Sequence, residues 1–418
     1  MKNAIIMTVG TGIGGGAESL AESLAGSILN KNPDKVYFIC TEESIRTVDL
    51  IRKHLKPNLE IENVVLDNCD DFDSVLKKMR SELCKVRASY DQVTVNYTSG
   101  TKTMSAAAVY AGIIEGVDWL EVNSGIRKDG TVKKGTEKVN SYRTKILLSE
   151  IDLRKKSAPL FNMHLYCHVK RLLEEVKEEI AFDNIDALIG VANAYDCWDK
   201  FMHNDALEHL KKSADCLKQS FSKTDLYKML CRNRGFLERL RNSGECEKYV
   251  YLIADLLNNA ERRGEESKFD DAVARLYRAI EMLAEYKLRK LGIMLDKIDE
   301  CNLPVQIRDK WKDKIKEGRM EIALKEKYAL LKDLRDPLGE KYEDRQLKDL
   351  LKKRNYSILA HGHEHVVQDD YQKLLEKVKM IARDEISILE RLQEDAKFPS
   401  LKDDDLLTII GIRCPKQS

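Results

Sequence analysis

Five short β-rich runs alternate with helical patterns over the first 150 residues, and past about residue 152 the strand signals stop. That alternation suits a doubly wound, mostly parallel sheet, because parallel neighbours need a crossover long enough to hold a helix. The runs are "NAIIMTVG" (3–10), "KVYFICT" (35–41), "LEIENVVLD" (59–67), "QVTVNYT" (92–98) and "VDWLEVNSG" (117–125). Helical stretches fill 17–30, 43–55, 71–88 and 101–115. A sixth run, "KVNSYRTKILLSE" (138–150), follows "RKDGTVKKG" and is expected to return as a hairpin on the sheet edge. The expected fold class is α/β plus all-α: a Rossmann-like sheet of order 3-2-1-4-5 over 1–150, then helices.

The helical part divides further. Residues 160–260 carry helix-period patterns such as "HVKRLLEEVKEEI" and "ANAYDCWDKFMHNDALEHLKKSADCL". The second has the spacing of a single tetratricopeptide-like hairpin, and one unit reads as packing and not as a repeat array. "ERRGEES" (261–267) reads as a hinge, after which Ser267 and Asp270 give a capping-box-like start to the helix "KFDDAVARLYRAIEMLAEYKLRKLG". Its stripe of Val273, Leu276, Tyr277, Ile280, Leu283 and Ala284 demands a partner helix. "DPLGE" (336–340) interrupts the pattern, and further helices are expected over 344–361 and 366–395, with a small strand in "LLTIIGIRC". The expected domains are 1–150, a helical linker at 151–262, and a helical domain at 263–418.

A chain of 418 residues is long enough for each of these to bury its own core. Charged residues make up 34% of it, yet the net charge is only +1, so no global basic field attracts nucleic acid and any such contact must be local. Ten cysteines without a CxxC pair, no N-terminal apolar segment and no long apolar run fit a reduced, soluble, cytosolic protein with no membrane partner.

Two loops carry chemistry in the sheet domain. In "TVGTGIGGG", Gly10, Gly12 and Gly15 satisfy G-x-G-x-x-G, whose glycines allow close approach of a ligand to free amides at a helix start. A tight turn without ligand is the alternative. "NYTSGTKTMSAAA" (96–108) gathers Thr98, Ser99, Thr101, Thr103 and Lys102 around Gly100 at the next such junction. In the expected strand order the first and fourth strands are neighbours at the switch point, so both loops face one crevice. Hydroxyls, amides and one ammonium suit a phosphodiester. A nicotinamide enzyme would also want an acidic residue after the second strand, for which Glu42 or Glu43 would serve, and a nearby proton-transfer residue, for which no His or Tyr near these loops stands out. "SGTK" lacks the G-K-[ST] order of a nucleotide-triphosphate loop.

A third stretch, "RNYSILAHGHEH" (354–365), is read as part of a helix, with Arg354, Ile358 and His361 at i, i+4 and i+7. Arg354 and His361 then lie about 10 Å apart, too far for one phosphate on one helix, whereas two such helices around a dyad would bring two arginines and two histidines into one cleft. A cation and a near-neutral proton carrier suit attack of a ribose 2′-OH on its own phosphate without metal, with Asn355 positioning phosphate or histidine. Two other readings stay open: a basic helix end capped at Gly362, and adventitious metal binding by His361, His363 and His365.

The two loops together resemble the CARF domain of accessory effectors of type III CRISPR systems, which bind cyclic oligoadenylates across a dimer axis. The resemblance covers about residues 1–150 and implies an activator pocket lined by Thr8, Gly10, Thr11, Gly12, Asn96, Thr98, Ser99, Gly100, Thr101 and Lys102. By physical role Lys102 would pair with a phosphate, and Thr11 and Thr98 would hydrogen-bond the ring. Some members of this family also cleave their activator at this pocket, which leaves weak ring-nuclease activity open here. "RNYSILAH" matches the R-x6-H spacing of HEPN ribonucleases, and "DDAVARLYRAIEMLAEYKL" resembles the opening helix of HEPN domains in the same group. Carried over by position, Arg354, Asn355 and His361 become the ribonuclease residues. The resemblance implies a homodimeric, metal-independent, cyclic-oligoadenylate-activated endoribonuclease acting on single-stranded RNA, with no cofactor and with 2′,3′-cyclic phosphate and 5′-OH products. Its rivals are a dinucleotide-dependent oxidoreductase using Gly10, Gly12 and Gly15, and a non-catalytic cyclic-nucleotide sensor that recruits a partner.

Overall fold

Strand β1 (Asn3–Thr8) is buried on both faces: Ile5 and Met7 enter one apolar cluster, Ala4 and Ile6 another. Period-two alternation between two covered faces is why the run reads as continuously hydrophobic. The computed structural model describes residues 2–12, 16–128, 131–132, 136, 138–179, 183–358, 362–402, 405 and 409. They form two units, one of residues 1–153 with 175–181 and one of 154–174 with 182–418.

In the first unit β1 is followed by α1 (Ala17–Lys31), β2 (Lys35–Cys40), α2 (Ile45–Lys53), β3 (Glu60–Val65), α3 (Phe72–Ser89), β4 (Gln92–Asn96), α4 (Lys102–Ile114) and β5 (Trp119–Ser124). A two-residue ribbon, β6 (Arg127–Lys128) and β7 (Thr131–Val132), leads to β8 (Lys138–Arg143). The sheet order is β3-β2-β1-β4-β5-β8, parallel but for β8, which runs antiparallel to β5. This is the order expected from the sequence, with the hairpin return at the edge. The sixth run is shorter than expected, however: α5 (Thr144–Asn162) begins where the strand was to continue, because β8 is exposed along its whole length and Thr144 is the first buried residue after it. Helices α1 and α2 cover one face of the sheet, α3 and α4 the other.

Helix α6 (Tyr166–Glu179) belongs to the second unit as far as Glu174, and that unit continues with α7 (Ile185–Asp199), α8 (His203–Phe221), α9 (Asp225–Asn242), α10 (Glu245–Glu265) and α11 (Phe269–Lys290). No hinge opens at 261–267: α10 runs through to Glu265 because Arg262 and Arg263 both bond Asp199, at 3.0 and 2.7 Å, and the Arg262 guanidinium lies 3.7 Å from the centre of the Phe398 ring. The expected capping box is absent too. Ser267 takes a left-handed φ of 59° in the turn, and the Asp270 carboxylate accepts the distant Val366 N–H at 3.2 Å. In the α11 stripe Val273, Leu276, Ile280, Leu283 and Ala284 are buried, while Tyr277 is only partly so.

Beyond α11 come α12 (Val305–Trp311), a short ribbon of β9 (Ile315–Lys316) and β10 (Arg319–Met320), α13 (Leu324–Asp333), α14 (Pro337–Lys341), α15 (Arg345–Asn355), α16 (Gln368–Glu385) and α17 (Leu389–Asp395). The single helix expected over 366–395 is two, divided where buried Ile386 turns to extended backbone (φ −126°, ψ 94°). The expected strand in the tail lies outside the described residues apart from Ile409. Among the described residues no helix is long and apolar enough to cross a membrane.

Candidate functional sites

Parallel pairing of β1 with β4, Met7 opposite Asn96, brings the two glycine-bearing loops out side by side. They are stitched together. The Thr8 hydroxyl donates to the Ser99 carbonyl, and the Gly10 N–H donates to the Ser99 hydroxyl at 3.0 Å. A Cβ on Gly10 would stand 3.0 Å from the Gly100 nitrogen, so two glycines face each other where the loops meet. Gly12 and Gly100 have φ of 82° and 100°, backbone that side-chain-bearing residues rarely adopt. Thr101 caps α4, accepting the Met104 N–H at 3.1 Å while its hydroxyl donates to the Cys69 carbonyl at 3.0 Å.

The expected pocket residues therefore fall into two groups. Thr8 and Asn96 are wholly buried: Asn96 accepts from the Thr98 N–H at 3.1 Å and from the Thr98 hydroxyl, and its amide donates to Asn123 at 3.3 Å. These two, with buried Ser99, brace the loops. Thr11, Gly100 and Lys102 are exposed, with Gly10, Gly12, Thr98 and Thr101 partly so. Lys102 makes no ion pair among the described residues and stands in the first turn of α4, where free amides and an uncommitted ammonium together favour an anion. Gly15 lies outside the described residues. One polar residue escaped the sequence reading. Asn123, at the end of β5 and nearly buried, donates to Ser23 and accepts from Ser27 of α1, and its N–H bonds the Thr98 hydroxyl at 2.8 Å. A lone amide ending the strand beside the switch point was the only available signal.

In the second unit α15 starts at Asp344, whose carboxylate accepts the Leu347 N–H at 2.8 Å, and buries Leu347, Leu350 and Leu351. Lys352, Lys353 and Arg354 fill its last turn, where the helix dipole favours cations. The helix stops at Asn355, short of the expected 361. Past it the amides find partners outside the helical ladder: Gly362 N–H donates to the Ser357 carbonyl at 3.1 Å, Ile358 N–H to Glu364 at 2.9 Å, and Glu364 N–H to Tyr356 at 3.1 Å. The chain folds back so tightly that a Cβ on Gly362 would overlap the Tyr356 carbonyl. Ile358 therefore does not continue the helix face on which Arg354 stands. His361 itself lies outside the described residues, and His363 and His365 are exposed.

Arg354 and Asn355 do come together: Arg354 Nη1 donates to Asn355 Oδ1 at 3.2 Å, and the guanidinium sits 4.5 Å from the centre of the Tyr277 ring on α11. Burial pushes the Tyr277 hydroxyl above its ordinary pKa, with Glu281 adding to the shift and Arg354 opposing it. Among the described residues Arg354 has no carboxylate partner, so its charge is available to a ligand. A concavity of about 430 Å³ is lined, among the described residues, by Tyr277, Lys352, Arg354, Asn355 and Tyr356, two cations and two phenol rings without an acid.

Residues 26–111 match the model of the Card1 CARF domain, 150–258 that of the Csm6 6H domain and 241–384 that of the Csm6 HEPN domain. The CARF match contains the loop of Lys102 and begins after that of Gly10, the HEPN match contains Tyr277, Arg354 and His361, and the 6H match falls on α5–α10. No curated protein sequence matches the chain. Among solved structures, Enterococcus italicus Csm6 bound to cyclic hexa-2′-fluoro-hexa-dAMP is similar over 95% of this chain and 99% of its own, with a TM-score of 0.57 and 12% identity, a likeness of fold. With the three domain models in order along one chain and this fold over nearly all of it, the protein belongs to the CARF–HEPN accessory proteins of type III CRISPR systems.

Proposed function

We propose that this chain is a homodimeric, metal-independent endoribonuclease of single-stranded RNA, switched on by a cyclic oligoadenylate. The observation that carries the reading is the state of Arg354: stacked on Tyr277, bonded to Asn355, unpaired with any described carboxylate, in a concavity whose described lining holds no acid. In the reading, Arg354 neutralises the scissile phosphate, Asn355 orients it, and His361 moves the proton as the ribose 2′-OH attacks. The products are a 2′,3′-cyclic phosphate and a 5′-OH, and DNA is spared for want of the nucleophile. Two subunits contribute one arginine and one histidine each, which makes pairing a requirement of the chemistry.

In the first unit Lys102 and the amides at the start of α4 hold the phosphates, Thr11 and Thr98 reach the ring, and Thr8, Asn96 and Ser99 keep the two loops in register. Residues 1–150 are then the sensor, 151–262 the linker and 263–418 the nuclease. Activation requires the ligand to bind the active arrangement more tightly than the resting one. Support comes from the bound cyclic hexanucleotide analogue in the similar Csm6 structure and from the CARF match across the Lys102 loop. The test is cleavage of labelled single-stranded RNA in EDTA, alone and with cyclic tetra-adenylate or cyclic hexa-adenylate. Cleavage that depends on one of the rings is expected; none with either, from a folded dimer, rejects the reading. Analysis of the ring after incubation scores any cleavage of the activator itself.

A further inference from the structure

We propose that Tyr356 is a stacking platform for an unpaired base of the RNA substrate, adjacent to the scissile phosphate. The inference rests on the ribonuclease reading of Arg354 and adds a residue that the R-x6-H motif does not contain.

Tyr356 is the residue directly after α15, and its main chain is held from several sides. Its N–H bonds the Lys352 and Lys353 carbonyls at 3.1 and 3.2 Å, and its carbonyl accepts the Glu364 N–H at 3.1 Å. The close approach of Gly362 to this main chain leaves no room for a side chain at that position. The residue, by contrast, is 62% exposed. A rigidly anchored, solvated aromatic ring loses little conformational freedom when a ligand covers it.

The surroundings select the ligand. Tyr356 lines the concavity with Lys352, Arg354, Asn355 and Tyr277, and among the described residues no carboxylate belongs to that lining. Among the described residues Lys352 has only Asp349, at 3.9 Å, as a counter-charge, and Arg354 has none. In a protein whose net charge is only +1, this is a local cationic field with an open aromatic face, the combination that single-stranded nucleic acid uses. Tyr277 cannot be the platform in the same way, because the Arg354 guanidinium already lies over its ring. A duplex hides its base faces, so the same geometry favours a single strand.

The test measures the full chain binding a 2′-O-methyl single-stranded RNA, which lacks the attacking hydroxyl, alongside cleavage of unmodified RNA with cyclic tetra-adenylate and cyclic hexa-adenylate. Tyr356→Ala is expected to weaken binding and raise KM about ten-fold with kcat little changed, and Tyr356→Phe to behave as the wild type. One abasic nucleotide, moved along the RNA, should weaken wild-type binding at one position and leave Tyr356→Ala unaffected there. Unchanged binding by Tyr356→Ala, or dissociation of that variant into monomers, overturns the proposal, the second by placing the ring in a subunit contact. Arg354→Ala separates the two readings: if it still cleaves, the ribonuclease assignment fails, whereas an inactive Arg354→Ala beside a fully competent Tyr356→Ala removes the platform alone.

Discussion

Gly10 and Gly100 oppose each other where the two loops of the first unit meet, the place of a Cβ on Gly10 lying 3.0 Å from the Gly100 nitrogen and 3.1 Å from its Cα. Two strands adjacent in the sheet, β1 and β4, deliver these residues from positions about ninety apart in the chain. With the Thr8 and Ser99 bonds beside them they make one surface of two loops, and the shape of that surface depends on neither glycine acquiring a side chain.

Gly100→Ala places a side chain at φ 100° and against Met104, which costs about 1–3 kcal/mol of stability. Gly10→Ala leaves its own backbone unstrained but drives the loops apart. Thermal melts should show the larger loss for Gly100→Ala, and calorimetric titration with cyclic tetra- and hexa-adenylate should show weakened binding for both. Full affinity in Gly10→Ala would mean that the junction of the two loops is not the ligand site.

Lys102→Ala removes an exposed ammonium without any ion pair among the described residues, so stability should stay within about 0.5 kcal/mol. Activator affinity should fall about ten- to a hundred-fold, the worth of a charge-assisted bond. Thr8→Val is the contrasting case: it removes the donor to the buried Ser99 carbonyl, lowering the melting temperature by the equivalent of about 1–2 kcal/mol while reducing affinity less than Lys102→Ala does. The reverse order would make Thr8 a direct ligand contact.

Arg354→Ala and His361→Ala should each lower RNA cleavage by about a hundred- to a thousand-fold or more and leave activator binding intact. Arg354→Lys should recover little, since an ammonium lacks the planar fork for a phosphate and stacks poorly on Tyr277. Normal cleavage by His361→Ala would dismiss the assigned chemistry.

Lys327, nearly buried, bonds Glu281 at 2.9 Å and Glu285 at 2.6 Å, and Arg278 bonds both carboxylates from the other side. Burial alone would raise the pKa of Glu281, but its bonds to Lys327 and Arg278 outweigh that and hold it below the ordinary carboxylate value. A group depressed in the folded state stabilises the fold above its unfolded pKa, and the contribution disappears as pH falls through the folded value. Melts of the wild type between about pH 6 and pH 3 should thus fall more steeply than those of Glu281→Gln. Lys327→Met, which leaves two largely buried carboxylates to share Arg278, should cost about 2 kcal/mol at neutral pH.

Much of the first unit was legible because its signals are local. Runs such as "NAIIMTVG" and "QVTVNYT", with glycines at their ends, specify strands, and the alternation with helices limits how they order; β3-β2-β1-β4-β5 followed. The edge strand was legible only to Arg143, since nothing nearby marks where pairing with β5 ends. In the second unit helix periodicity located helices but not their ends. Ser267 and Asp270 have the right spacing for a cap, yet Asp270 is claimed by Val366, ninety-six residues away. "RNYSILAHGHEH" has no proline to stop a helix, and α15 stops because Tyr356, Ser357 and Ile358 exchange bonds with Gly362 and Glu364 instead.

What this sequence determined by itself is the part written in short-range pattern: a doubly wound sheet, helices after it, two glycine loops at one switch point, and an arginine and asparagine side by side near the end of a basic helix. Only the tertiary structure decided which of those groups have partners. It buried Thr8 and Asn96, left Lys102 and Arg354 without an ion pair among the described residues, set Tyr277 beneath the guanidinium and exposed Tyr356 on a hydrogen-bonded backbone. The reason is physical: propensity and periodicity act over a few neighbouring residues, whereas burial and hydrogen-bond pairing are settled between segments that meet only after the chain has folded.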